Sequence, residues 1–362
     1  MKKIYFTVGP SEILGTIPTY TKQAVADQIF SLNHRGKVFE KLFENAISNL
    51  KKLLLIPSSY QVFFISSGTE GMERIIQDCV KKKSTHIING LFSERFYKTA
   101  LELGKNAQKH NAYDSFSALD LKVSKDTELI AFVQNDTSSG MSIPMQDIYK
   151  TAGKYPHALI AVDTVSSMPY VGINYKKVDC VFFSVQKGFG MPAGLGVLIV
   201  SPRALAKAIS LREKGISLVS HHSFVSLLQF AQKKQTPETP NVFGIYLFNK
   251  VIKEFLKKGV RNIRKETEIK ASLMYKFFES SQIYSPLIVN KIFRSKTTLV
   301  ITVKGGSVGV VKYLLEKGIV VGRGYGSRKD LDIRIANFPA HTIKDVKLLI
   351  NLLDKYAGIT RS

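Results

Sequence analysis

Residues 178–200, VDCVFFSVQKGFGMPAGLGVLIV, constrain this chain more than any other stretch. Residues 181–185 are mainly apolar, as in a strand buried on both faces, and residues 197–200 form a second such run. Between them stand Gln186 and Lys187, then a loop carrying Gly188, Gly190, Gly194 and Gly196. Lys187 therefore falls where a buried strand meets a tight loop. An ammonium is costly there unless it is paired or neutralised. Either the side chain reaches water from the strand end, or it loses its proton and serves as a nucleophilic amine able to form a Schiff base.

The surrounding pattern says what kind of sheet holds that strand. Strands are expected at 61–66, 86–88, 128–134 and 158–162, with helices at 72–80, 93–103 and 145–152. Such alternation implies right-handed crossovers and an α/β fold with a mainly parallel central sheet flanked by helices. Ligands of such sheets bind beyond the carboxyl ends of the strands. Gly68, Asn135, Asp163 and Lys187 all fall at such ends. Upstream, residues 1–18 read as an extended arm with Gly9-Pro10 and Pro18, followed by helices at 19–30 and 37–55. Beyond 239, helices are expected at 242–258, 263–278, 308–317 and 343–356, and strands at 298–303, 319–321 and 332–335. The expected organisation is an arm (1–18), a large domain (19–240) and a smaller C-terminal α/β domain (241–362).

The longest apolar runs are too short to span a bilayer, and no apolar segment follows the lysines of the opening MKKIYFTVGP. Cys79 and Cys180 are the only cysteines, which argues for a reducing, cytoplasmic setting with neither a disulfide framework nor a zinc cluster. The formal net charge of +24 attracts anions in general. The lysines are dispersed, however, and no basic arm interleaved with aromatics marks a nucleic-acid surface. A basic nucleic-acid-binding protein is the non-enzyme alternative, and charge alone supports it.

Three features carry chemistry. Ser66-Ser67-Gly68-Thr69 joins a strand to a helix, so it is either a simple N-cap or an anion site built from free N–H groups and the helix dipole. Its spacing matches neither a Walker loop nor a dinucleotide fingerprint. Asp163 either caps the segment after its strand or faces a cationic partner in a cleft. Lys187 is the third. Pyridoxal phosphate needs all three: N–H donors for its phosphate, a carboxylate for its pyridinium nitrogen and a lysine for its aldehyde.

At this point the chain resembles the class V, fold-type-I aminotransferases, and within them the phosphoserine aminotransferases. The resemblance is carried by Gly9-Pro10, residues 33–39 (NHRGKVF), 67–70 (SGTE), 135–140 (NDTSSG), Val162-Asp163, Gln186-Lys187, residues 236–239 (TPET) and Arg334. It implies that Lys187 holds the cofactor and shuttles a proton, with Asp163 on the pyridine nitrogen. Gly68, Thr69 and Gln186 would hold the cofactor phosphate, Phe92 would stack on the ring, and Thr137 would touch the 3-hydroxyl side. Gln235 and Thr236 would reach the neighbouring subunit's cofactor phosphate, implying a homodimer with shared sites. Arg334 would bind the substrate α-carboxylate, and His34 and Arg35 the distal anion. The expected reaction is phosphoserine with 2-oxoglutarate to 3-phosphohydroxypyruvate and glutamate, in serine biosynthesis. The expected ligands are small amino and keto acids, with no nucleic acid and no membrane. One departure stands out. The His-Arg pair usual before the carboxylate arginine is replaced by residues 322–329 (GRGYGSRK), where Arg328 stands in for the arginine and the histidine is absent. Alanine– or serine–glyoxylate transamination is the alternative.

Overall fold

The computed structural model describes residues 3–216 and 220–359. The chain opens with β1 (Ile4–Phe6), α1 (Ile17–Ala26), α2 (Lys37–Leu54), β2 (Gln61–Ile65), α3 (Gly68–Cys79), β3 (Lys83–Ile88) and α4 (Leu91–Glu102). There follow β4 (Asn106–Asn111), β5 (Leu129–Val133), the short pair β6 (Asn135–Asp136) and β7 (Met141–Ser142), α5 (Met145–Lys154), β8 (Leu159–Asp163), β9 (Cys180–Ser184) and β10 (Gly196–Val200). Helices α6 (Pro202–Glu213), α7 (Phe224–Gln232), α8 (Val242–Lys258) and α9 (Val260–Ser280) come next. The last elements are β11 (Tyr284–Pro286), β12 (Thr298–Val303), α10 (Val308–Glu316), β13 (Ile319–Arg323), β14 (Asp332–Ala336) and α11 (Ile343–Ile359).

Seven strands form the large sheet in the order β2-β10-β9-β8-β5-β3-β4. Only β10 runs against its neighbours; the remaining pairings are parallel. Successive residues of β9 point to opposite faces, so Val181 and Phe183 join one apolar cluster while Cys180 and Phe182 join the other. That double burial is why the strand sequence does not alternate with polar residues. The parallel direction also gathers the carboxyl ends of β2, β3, β5, β8 and β9 on one edge, which is where the site lies.

Five strands, β1-β13-β14-β12-β11, form the second sheet, antiparallel except where β1 joins β13. The stretch expected to be a plain arm thus contributes an edge strand, pairing Ile4 with Ile319 and Phe6 with Val321. Helix α8 lies on the smaller side of the boundary expected at 240/241. Yet its Ile245, Phe248 and Ile252 are buried in the same cluster as Phe39, Phe43 and Leu50 of α2, against the large sheet. Helix α9 spans both units: Ile263 joins that cluster, whereas Met274 and Phe278 pack on the second sheet. Among the described residues no helix is long and apolar enough to cross a membrane.

Candidate active site

Strand β9 ends at Ser184, and the chain turns at once, so Lys187 points back over the sheet edge and is only 7% exposed. Its Nζ donates to Thr137 Oγ1 at 2.9 Å and lies 5.3 Å from the centre of the Phe92 ring. The N-terminal arm closes the other side. Gly9 has φ +145°, and a Cβ there would sit 2.7 Å from Lys187 Cε, so the arm lies on the lysine stem only because residue 9 is glycine.

Asp163 ends β8 and is 3% exposed, with Oδ1 accepting the Val165 N–H at 2.7 Å. Burial pushes its carboxyl well above the usual carboxylate range, partly offset by that N–H and by Lys187. Burial likewise pushes the Lys187 amine down, against the pull of Asp163 and Asp136, while Arg334 adds to the lowering. Each group sits where its charge is costly.

A cavity of about 200 Å³ is lined by Gly68, Thr69, Phe92, Thr137, Asp163 and Lys187, with Gln186 also on its wall. Ser67 caps α3 by accepting the Glu70 N–H at 3.2 Å, and the Gly68 N–H is held by Ser184 Oγ at 2.8 Å. The cap and the cavity wall are therefore one turn: Ser67 is the N-cap, and Gly68 and Thr69 line the cavity. Gln186 Oε1 is buried with no hydrogen-bond partner among the described residues. An orphaned amide oxygen and a buried acid in one small cavity fit a polar occupant that brings a hydrogen-bond donor and a cationic nitrogen. These residues fit pyridoxal phosphate.

Arg334, on β14, reaches the rim. Its Nε donates to the Arg323 carbonyl at 2.7 Å and its Nη1 to the Thr137 carbonyl at 3.4 Å. Other expected residues lie elsewhere. Arg35 Nη1 donates to Gln235 Oε1 at 3.0 Å and to the Thr236 carbonyl at 2.6 Å, and Nη2 donates to the Pro237 carbonyl at 2.9 Å. The same guanidinium stacks over Phe230 at 4.9 Å. His34 meets Phe39 edge-on at 6.5 Å, and burial, helped by Arg35, lowers its pKa. None of His34, Arg35, Gln235 and Thr236 lines the Lys187 cavity of its own chain. Arg328, expected in the place of the usual arginine, forks onto both oxygens of buried Asp332 and donates to Thr302 Oγ1 at 2.9 Å. Its charge already has a partner.

Asp136 is assigned no role by the sequence pattern, although it lies in the NDTSSG stretch. It is fully buried, and its Oδ2 accepts the Phe92 and Ser93 N–H groups, each at 3.0 Å. Its Oδ1 accepts the Ser138 N–H at 2.9 Å and hydroxyl at 2.6 Å. Asp136 thus caps α4 from outside and sets the helix turn that carries Phe92. The neighbouring Gly90 makes room: a Cβ there would fall 2.2 Å from Asp136 Cγ. An apolar strand running into a short polar loop with an acid as its second residue was the available signal.

The family model "Aminotransferase class-V" matches residues 7–331. A phosphoserine aminotransferase of Rhodococcus opacus is 27% identical over 344 residues, covering 91% of this chain and 89% of its own length. The solved structure of a phosphoserine aminotransferase from Cytophaga hutchinsonii is 45% identical, covers 98% of each chain and superposes with a TM-score of 0.95. An alanine–glyoxylate aminotransferase from Nostoc superposes at 0.81 with 20% identity, covering 98% of this chain and 95% of its own, a likeness of fold alone. The chain belongs to the class-V aminotransferases.

Proposed function

We propose that this aminotransferase moves the amino group of phosphoserine to 2-oxoglutarate, giving 3-phosphohydroxypyruvate and glutamate for serine biosynthesis, as a cytoplasmic homodimer. The observation that carries the substrate is the 45% identity, over 98% of both chains, to the Cytophaga phosphoserine aminotransferase. When bound, pyridoxal phosphate supplies an electron sink for the charge that develops at the substrate Cα. Lys187 Nζ, made less basic by burial and steadied by Thr137 Oγ1, would take the proton from that carbon and deliver it to the cofactor's aldehyde carbon, so that the amino group stays with the cofactor when the keto acid leaves. Asp163 would hold the proton of the ring nitrogen, its buried carboxyl gaining the cation it lacks. Gly68, Thr69 and Gln186 would hold the phosphate, and Phe92 would cover the ring. Arg334 offers a planar fork to the α-carboxylate.

The distal phosphate needs a second cation, and Arg328 is already paired. Arg35 binds the carbonyls of Thr236 and Pro237, so His34, Arg35, Gln235 and Thr236 travel as one piece. On a dimer that piece would be delivered to the neighbouring site. Mixed dimers test this. Lys187→Ala and Arg35→Ala subunits, each impaired alone, should regain activity together, because one hybrid site then has neither lesion. No recovery removes the shared-site reading. For the substrate, the holoenzyme is offered phosphoserine with 2-oxoglutarate beside alanine with glyoxylate. A higher kcat/KM for the phosphoserine pair is expected, and the reverse preference moves the assignment to alanine–glyoxylate transamination.

A further inference from the structure

The loop between β13 and β14 touches the active site through one side chain that has no role so far. Tyr325 faces two site residues at once. The guanidinium carbon of Arg334 lies 5.1 Å from the centre of its ring. The Phe92 ring centre lies 6.2 Å away, with the two planes at 55°. Phe92 in turn lies 5.3 Å from Lys187 Nζ. A row of contacts, Lys187–Phe92–Tyr325–Arg334, therefore joins the reacting amine on the large sheet to the carboxylate anchor on the small one.

The loop is held rigidly enough for this. Behind Tyr325, Arg328 grips Asp332 and Thr302, which ties the loop to the first residue of β14 and to β12. Arg334 needs such a neighbour. Its Nε is fixed by the Arg323 carbonyl, but its Nη1 contact to Thr137 is long, so the outer edge of the guanidinium has little to hold its plane. Bidentate carboxylate binding depends on that plane. A guanidinium stacked on an aromatic face keeps its N–H edges free for a ligand while its flat face is covered.

We propose that Tyr325 is a positioning residue for the substrate: its ring face sets the plane of Arg334 and, through Phe92, the spacing between the carboxylate anchor and Lys187. This role presupposes Arg334 as the α-carboxylate site, so the experiment examines both. The ring does the work and the hydroxyl does not. In the holoenzyme, Tyr325→Ala should raise KM for phosphoserine and for glutamate alike by roughly three- to thirtyfold, with kcat lowered about twofold at most. Inhibition by propionate, a plain carboxylate, should weaken by the same factor. Tyr325→Phe, which keeps the face, should restore wild-type KM. An unchanged KM in Tyr325→Ala overturns the proposal. So does a Tyr325→Phe variant as impaired as the alanine one, because the hydroxyl would then be the acting group. A fall in kcat with loss of bound cofactor and no KM effect also overturns it, by making the role structural. Arg334→Ala separates the two layers. If it leaves KM and propionate inhibition unchanged, Arg334 is not the carboxylate site; if it raises both while Tyr325→Ala does not, only the Tyr325 role falls.

Discussion

Asp136→Asn isolates the least visible part of the site. The carboxylate accepts N–H groups on both oxygens, two from the first turn of α4 and one, with a hydroxyl, from Ser138. Asparagine keeps the shape but replaces one oxygen with an NH₂. Whichever way the amide turns, that NH₂ faces an N–H, donor against donor, and at least one buried amide loses its partner. Hydrogen bonds to a charged group are worth about 1.5–3 kcal/mol each, and an orphaned buried N–H costs about 1–3 kcal/mol. Losing the negative charge at the α4 N-terminus removes up to about 1 kcal/mol more. These contributions overlap, so the expected cost is about 3–5 kcal/mol. At about 2 °C per kcal/mol for a long chain, the midpoint should fall by roughly 6–10 °C. Differential scanning fluorimetry of the holoenzyme reads this directly, and turnover should fall as well because Phe92 rides on the same turn. Ser138→Ala, which removes the hydroxyl that donates to Asp136 and accepts the Leu91 N–H at 2.8 Å, should cost less, about 1–2 kcal/mol. A midpoint for Asp136→Asn within about 1 °C of wild type would refute the capping argument.

Gly9→Ala should lower turnover at least about tenfold by forcing the arm off the Lys187 stem, since a Cβ would lie 2.7 Å from Cε at a φ that alanine resists. Gly15→Ala, with no atom near its added carbon, is the control, and equal activity in the two variants would contradict the clamp. Asp78 is buried, and burial pushes its pKa up to about 7 against the opposing pull of the Phe224 backbone N–H, Arg74 and Arg212. The folded state therefore binds its proton more tightly than the unfolded state does, so this stability is present below about pH 4 and is lost as pH rises through about 7. The gap is worth about 4 kcal/mol at most. Asp78→Asn should raise the unfolding midpoint at pH 8 and flatten its pH dependence, and a midpoint lowered equally at pH 5 and pH 8 would refute this. Borohydride treatment followed by peptide mapping should place the cofactor mass on Lys187, and a tag on another lysine ends that assignment. Asp163→Asn should cost more in turnover than in cofactor retention, and normal turnover would remove its electronic role.

Much of the large sheet was legible because its strands are buried on both faces: β5, β8, β9 and β10 read as apolar runs and appear within a residue or two of expectation. Strand β4 was not, because its sequence, NAQKHN, lies at the sheet edge and faces water at most positions. Helix α3 begins at Gly68, before the expected 72, since glycine and Thr69 have low helix propensity but occupy a turn that Ser67 caps. Lys187 and Asp163 could be found from strand ends alone. Arg328 could not be judged that way, because a sequence does not show which arginine already holds an acid. Its partner, Asp332, reads only as the polar first residue of a strand. Tyr325 and Asp136 act by holding other residues, and no residue type announces that.

The arm explains why a dipeptide 178 positions before Lys187 belongs to its site. Strand β1 is bonded into the small sheet, yet Ser11 N–H bonds the Gln186 carbonyl at 3.3 Å and Leu14 N–H the Gly190 carbonyl at 2.8 Å on the large one. The small-sheet end is fixed by His341, whose ring stacks on Phe6 at 4.4 Å. Burial pushes this histidine down to about 4, so near neutral pH the ring is uncharged. Its Nδ1 accepts the Phe338 N–H, which leaves Nε2 as the donor to the Tyr5 carbonyl at 3.0 Å. Lys270 Nζ ties the same loop by donating to the Phe338 and His341 carbonyls. The arm is therefore anchored at both ends, with Gly9 between the anchors and against the lysine. A displacement of the small sheet, which carries Arg334, must move either the anchor at His341 or the contact at Gly9. Arg334 and the Lys187 amine are thus mechanically joined through the backbone as well as through Tyr325.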